Sequence, residues 1–301
     1  MKENRIDQRI IDLWDDYVHV HFNRRLFLKR AAGLLGSVTA AAALLPELAS
    51  DYARAAVVSE NDPRLRIEHL KIGGASGPLK TYLALPMVPM RAGGKRASIL
   101  VVHQNRGLDP HIEDIARRLA AAGYVALAVD FLSPLGGTPP DEEAAMQMFA
   151  KLDPAKVIAD AHAAIAFLRK RGDPNGRVGA LGFCWGGSVV NRLAAEPARM
   201  RGANMDAGVV YYGAPPPLDQ VRKIKAPLLL NYADPKLDTR LGALLPGYED
   251  ALKAAKVRYT LYTYAGANHA FNDDTQSARY DEAAAKLAWS RTLAFFKDHL
   301  R

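Results

Sequence analysis

"RVGALGFCWGGSVVNRLAAE", residues 177 to 196, reads as a strand that turns sharply at Cys184 and leaves as a helix. Residues 177–185 are apolar enough for a strand buried on both faces, and "GGSVVNRLAAE" continues as a helix. Between them Gly182-Phe183-Cys184-Trp185-Gly186 has the form G-x-C-x-G. A tight strand-to-helix turn of this form, a nucleophile elbow, lifts one side chain above the sheet, and its glycines remove side chains that would clash. The partial positive charge of the helix N-terminus then favours thiolate over thiol. A glycine-flanked core cysteine at a strand end would look the same. Cys184 is also the only cysteine among 301 residues. It cannot pair within its chain, so it is inert in a core, joined to another molecule, or kept for its reactivity.

Outward from this turn the pattern repeats. "SILVVHQ" (98–104), "YVALAVDF" (124–131), "MDAGVVYYG" (205–213), "APLLLNYA" (226–233) and "VRYTLYTY" (257–264) read as further strands. Helices are expected at 109–123, with an Asp-Pro start and a Gly stop, and at 154–172, about 245–255 and 279–299. Before them, "RLRIEHLKI" (64–72) and "LKTYLALP" (79–86) alternate apolar and polar residues around "GGASGP", which predicts an antiparallel hairpin. The sum is an α/β fold: a doubly wound, mostly parallel sheet with an N-terminal antiparallel hairpin, in one domain over 56–301. Ligands bind such sheets beyond the carboxyl ends of the strands, where Cys184 is expected.

An elbow nucleophile needs an acid and a base in the chain order nucleophile, Asp/Glu, His. His269 lies in "YAGANHAFND" after a strand, and Asp238 in "NYADPKLDTR" beyond the preceding one. Asp234 is a second candidate acid, or a turn residue before Pro235. In these roles His269 takes the thiol proton, and the carboxylate fixes its tautomer and stabilises the imidazolium.

"GFCWGG", "LDTR", "GANHAF" and "HQNRGLDPHIEDIARRLAAAGYVALAVDF" together resemble the dienelactone hydrolase family of α/β-hydrolases, from about Leu70 to Leu300. The resemblance implies an α/β-hydrolase fold and cleavage of carboxylic esters or lactones through an acyl-cysteine. It implies Cys184 as nucleophile, His269 as base and Asp238 as acid. The oxyanion hole would use the backbone N–H groups of Trp185 and Asn105. Two departures stand out. Where the family has a glutamate that helps activate the cysteine, this chain has Gln104, which cannot take a proton. The loop after "AVDF" lacks the arginine that would hold a substrate carboxylate; Arg106 and Arg240 are possible replacements, or surface arginines. Trp185, Phe131 and Tyr212 could line an acyl pocket or belong to the core.

The N-terminus reads differently. Arg24 and Arg25 precede Leu26, Phe27, Leu28 and Lys29, and an Ala-rich apolar run follows to Leu45. This resembles a twin-arginine (Tat) export signal, with a possible cleavage site at Ala53-Arg54-Ala55. Residues 1–55 are therefore expected to be a leader outside the fold, and the rest periplasmic or secreted, with the Tat machinery as the precursor's partner. A retained amphipathic helix or uncleaved anchor is the alternative. The apolar run is too short for a comfortable transmembrane helix, so no stable membrane insertion is expected after cleavage.

The formal net charge of +8 is spread mostly through the body and reads as a solvated surface. No basic block with interleaved aromatics points to nucleic acid. No close-spaced zinc-ligand motif and no phosphate-binding glycine loop is present, so neither metal nor other cofactor is expected. A thioesterase or general carboxylesterase, a silent binding protein of the same fold, and a redox-sensing thiol are the competing functions.

Overall fold

The structure is a computed structural model that describes residues 6–20, 22–52, 56–87, 96–171 and 174–300. The N-terminal segment forms four helices, α1 (Gln8–Val20), α2 (Arg24–Leu35), α3 (Val38–Ala43) and α4 (Leu45–Leu48). The domain then follows the expected alternation: β1 (Leu65–Gly74), β2 (Gly77–Pro86), β3 (Arg96–Val102), α5 (Pro110–Ala121), β4 (Val125–Val129), α6 (Glu142–Phe149), α7 (Pro154–Lys170) and β5 (Pro174–Phe183). It continues through α8 (Trp185–Ala195), β6 (Ala207–Tyr211), β7 (Leu228–Ala233), α9 (Thr239–Gly242), α10 (Leu245–Ala254), β8 (Tyr259–Tyr264) and α11 (Glu282–His299).

The eight strands form one sheet in the order β1-β2-β4-β3-β5-β6-β7-β8. β1, β2 and β4 pair antiparallel, and every pairing from β4 to β8 is parallel. The hairpin is tighter than the sequence suggested. Its strands pair up to Gly74 and Gly77, so only Ala75 and Ser76 form the turn.

Both sheet faces are covered. A Cβ at Gly208 of β6 would meet Val190 of α8, whereas one at Gly179 of β5 would meet Phe296 of α11. Parallel strands buried on two faces have no polar side to show, which is why β4, β6 and β7 are buried along their whole length. Each buried Val, Leu or Ile contributes about 1.5–3 kcal/mol. Helix α5 starts as expected, with the Asp109 side chain accepting from Ile112 N and Pro110 in the first turn. The sequence reading missed α6, because "GGTPPDEE" reads as loop; Asp141 caps it by accepting from Ala144 N.

The larger difference lies at the N-terminus. Residues expected to lie outside the fold pack against it. Ile10, Trp14, Tyr17 and Val18 recur at i, i+4, i+7 and i+8 along α1 and are buried, with Phe27, Ala31, Ala41, Leu48 and Met146, in a second apolar cluster. Trp14 meets Phe27 edge to face at 5.3 Å. Arg24 and Arg25 remain exposed. Among the described residues no single helix is long and apolar enough to cross a membrane; α2 and the α3–α4 stretch form a pair bent by 114°. The expected cleavage site at 53–55 lies outside the described residues.

Candidate active site

Cys184 sits between β5 and α8 with φ 52° and ψ −115°, a left-handed backbone that a non-glycine residue holds only under constraint. The constraint is packing. A Cβ at Gly182 would lie 2.1 Å from Gly186 O, and one at Gly186 would lie 2.3 Å from Val102 O. Only glycine allows α8 to turn back so closely over β5 and β3. Cys184 N donates to Tyr211 O at 2.9 Å, which ties the turn to β6. Among the described residues, four non-glycine positions have positive φ, and Cys184, Tyr212 and Ala270 are three of them. Tyr212 lines the cavity beside Cys184, and Ala270 follows His269. Strain concentrates around one point.

The loops after β7 and β8 bring the expected partners to that point. His269 Nδ1 donates to Asp238 Oδ2 at 2.7 Å, and both side chains are almost fully buried. Asp238 Oδ1 accepts from Leu241 N and so caps α9. Asp234 is a turn residue instead, accepting from Lys236 N and Gly266 N. His269 Nε2 is buried and makes no hydrogen bond. Burial would raise the Asp238 carboxyl, but the His269 imidazole outweighs it and holds it below its ordinary value. Burial would lower His269, but Asp15 and then Asp238 hold it above its ordinary value.

Asp15 and His19 come from α1, which the sequence reading set aside. His19 Nε2 lies 3.1 Å from Cys184 Sγ. Its Nδ1 donates to Asp15 O at 2.8 Å, with Asp15 Oδ1 at 3.3 Å. Asp15 is held in turn by Arg279 Nη1 at 3.0 Å. The two imidazoles meet edge to face at 4.7 Å. Burial would push the Cys184 thiol up, but His19 and then His269 reverse this and hold it well below its usual value. Burial would lower His19, yet Cys184 and Asp15 push it up to about 10. The signal for these residues was present in the sequence as the apolar stripe of α1, which places Asp15 and His19 four apart on one face.

A cavity of about 170 Å³ opens beside Cys184, lined by Val18, His19, Asn105, Trp185, Tyr212 and Arg240, among others. Trp185 opens α8, so its N–H has no acceptor within the helix. Asn105 is locked from the other side, its Nδ2 donating to Val18 O at 2.9 Å. Trp185 is held by stacking on His103, 5.4 Å away and 15° from parallel. Phe131 lies behind it against His103 and Trp185 and is not in the cavity wall, so the pocket expectation for Phe131 is corrected to a core aromatic.

Gln104 and Arg106 are also absent from that wall. Gln104 Nε2 donates to Asp273 Oδ2 at 2.8 Å. Arg106 is 3% exposed, with Nε 3.0 Å from Glu142 Oε2 and Nη1 3.7 Å from Asp273 Oδ2. It is neither a surface arginine nor available to a substrate carboxylate. Its burial was illegible because both partners lie far along the chain. Arg240 lines the cavity with 39% of its side chain exposed.

Among the described residues, three side-chain groups have atoms close enough to share a cation: His19, Cys184 and His269; Asp15, Asp238 and His269; and His111, Asp273 and Asp274.

Comparison with known proteins agrees with this architecture. A profile of the dienelactone hydrolase family matches residues 79–300, and a separate profile described as YqhI-like matches residues 1–34. A Bradyrhizobium protein named a probable 2-oxo-3-(5-oxofuran-2-ylidene)propanoate lactonase is 30% identical over 251 residues, 78% of this chain and 96% of the relative. A Methylorubrum extorquens protein named as a carboxymethylenebutenolidase is 30% identical over 246 residues, 76% of this chain and 80% of the relative. A crystal structure from Klebsiella pneumoniae, named as a dienelactone hydrolase, has a TM-score of 0.66 at 27% identity, covering 77% of this chain and 98% of that one.

Proposed function

The chain belongs to the dienelactone hydrolase family, and from that premise we propose that it hydrolyses small carboxylic esters or lactones through an acyl-cysteine at Cys184. One observation carries the reading: a lone cysteine held at a strained elbow, with the His269–Asp238 pair beside it and a cavity in front.

Cys184 loses its thiol proton to imidazole, and Sγ attacks the carbonyl carbon. The carbonyl oxygen becomes an oxyanion facing the N–H groups of Trp185 and Asn105, each worth about 3–4 kcal/mol to the transition state. Collapse breaks the ester C–O bond, and His269 Nε2 protonates the leaving alkoxide. In a lactone that alcohol stays tethered to the acyl group. His269 then takes a proton from water, which attacks the acyl-cysteine, and the carboxylic acid departs as the thiolate re-forms. Asp238 holds the imidazole in the tautomer this cycle needs.

The cavity of about 170 Å³ admits a small ring but not a long acyl chain. Arg240 in its wall favours a substrate bearing a carboxylate. The test is hydrolysis of a short aryl ester and of a five-membered lactone by the protein and by Cys184→Ala. Turnover by the former alone supports the reading. A folded protein inactive on both would sink it in favour of a silent binding protein.

Export is part of the proposal. Arg24 and Arg25 are exposed at the start of α2, and a twin-arginine route carries folded chains. Replacing both with lysine is expected to leave the protein in the cytoplasm. Unchanged fractionation between cytoplasm and periplasm would remove the export claim.

A further inference from the structure

We propose that α1 completes the catalytic centre: His19 is a second catalytic imidazole on Cys184, and Asp15 is its positioning residue. The purpose of this arrangement rests on the hydrolytic reading above; its test does not.

His19 is bonded at both ring nitrogens. Nδ1–H is committed to the backbone O of Asp15 at 2.8 Å, with the Asp15 carboxylate Oδ1 at 3.3 Å, so Nε2, 3.1 Å from Sγ, is the atom left to accept the thiol proton. On transfer the S–H bond breaks and an N–H bond forms. The products are a thiolate and an imidazolium that keeps its hydrogen bond to Asp15. No outside reactant is needed.

The charges around the ring fit this state. Asp15 faces it from α1, Cys184 from the elbow, and His269, backed by Asp238, from the loop after β8. Two cations also approach Asp15, Arg279 Nη1 at 3.0 Å and Arg240 Nη2 at 4.0 Å; Arg240 shares the cavity wall with His19 and Cys184, so both cations help hold the thiolate as well as the carboxylate. Tyr212 faces His269 at 4.9 Å, and burial holds its phenol well above the usual value, hence neutral.

The position is built into the fold. The Asn105–Val18 bond sets α1 against the loop after β3, and Ile10, Trp14 and Tyr17 anchor its apolar face. Nor does the helix fill the site, since the cavity reaches Cys184 with His19 as one of its walls. The arrangement divides the labour. His19 keeps the thiol proton and holds the thiolate, while His269, which Asp15 and Asp238 hold above its ordinary value against burial, enters the cycle protonated, gives its Nε2 proton to the leaving alkoxide and regains one from water.

The single cysteine makes the test unambiguous. Alkylation of the full chain by iodoacetamide is followed against pH for the wild type, His19→Gln and Asp15→Asn. His19→Gln should move the midpoint up by at least about one pH unit, slowing alkylation near pH 6 roughly tenfold; Asp15→Asn should move it less, in the same direction. Unchanged profiles in folded variants would overturn the proposal. So would faster alkylation at every pH, which would make α1 a cover, or an intact mass placing the native N-terminus near residue 56. Ester turnover run in parallel separates the two readings. Turnover that needs Cys184, with a profile His19→Gln does not move, leaves hydrolysis standing and removes His19. A shifted profile in a protein that cleaves no ester does the reverse.

Discussion

Two imidazoles reach Cys184, and the chain holds them by different means. His269 stands on a loop at the end of β8, and its acid Asp238 caps α9 just beyond β7. Both belong to the parallel sheet that carries the nucleophile. His19 stands on α1, outside the sheet, moored by an apolar cluster of its own and by the Asp15–Arg279 ion pair. One pair is fixed by the strand ends themselves. The other is fixed by a helix docked across them. The same carboxylate–imidazole unit can thus be built into a domain or brought to it.

The largest expected effect separates the two. His269→Ala should lower kcat/KM on an aryl ester by about 10²–10⁴-fold, because both proton transfers of the cycle pass through it. His19→Gln should cost only about tenfold near neutral pH, through the thiolate fraction. Equal losses would erase the distinction between a shuttle and a holder.

The moorings can be broken separately. Trp14 is 7% exposed and packs on Tyr17 and Phe27. Trp14→Ala should weaken the docking of α1 by roughly 3–5 kcal/mol. Limited proteolysis should then cut the N-terminal helices while the sheet domain unfolds near its original temperature. A drop in the domain's own melting temperature of the same order would mean that α1 is core rather than cargo.

On the His269 side the vulnerable point is Gln104. Its amide donates to Asp273 in a buried ionic group with Arg106 and Gln276. Gln104→Glu would set two carboxyls face to face, and one must stay protonated, with a raised pKa. A raised folded-state pKa gives stability that is present at low pH and lost as pH rises through it. The variant should therefore lag the wild type by about 3 kcal/mol at pH 7 and by less at pH 5, read by denaturant titration. Equal deficits at both values would show that the new carboxyl escapes Asp273.

What the sequence made legible follows the same division. Gly182, Cys184 and Gly186 could be read because the turn tolerates no other backbone, and His269 and Asp238 because strand ends space them regularly along the chain. Asp238 was separable from Asp234 only through the resemblance; in space Asp234 turns to Gly266 N. His19 was missed for a compositional reason. The arginine pair and alanine run that follow it read as a leader, and that reading removed α1 together with them. The stripe Ile10, Trp14, Tyr17, Val18 carried a separate message, that α1 has an apolar face to bury against the domain. The burial of Arg106 and the turning of Gln104 towards Asp273 depend on pairings that no local pattern encodes.

The smallest effect tests what anchors each histidine. The segment after His269 is tied down ionically. His111 Nδ1, on α5, lies 2.9 Å from Asp274 Oδ1 and 3.7 Å from Asp273 Oδ1, and Arg118 bonds Asp274 as well. Burial would lower His111, but Asp273 and Asp274 overcome it and push it up to about 9. Its folded value is raised, so its contribution is complete below about 6.5 and is lost as pH rises through about 9. That loss is on the order of 3 kcal/mol. Hydrogen exchange, corrected for its intrinsic pH dependence, should show residues 266–281 opening more readily at pH 9.5 than at pH 7. His111→Phe should remove most of that slope. Helix α1 carries a comparable charge dependence through His19, raised to about 10, but its main anchors, Ile10, Trp14, Tyr17 and Phe27, do not change charge over this range, and it should open later. If α1 opens first on raising the pH, its apolar mooring is subordinate to the Asp15–His19–Arg279 contacts, and both histidines are then held by charge.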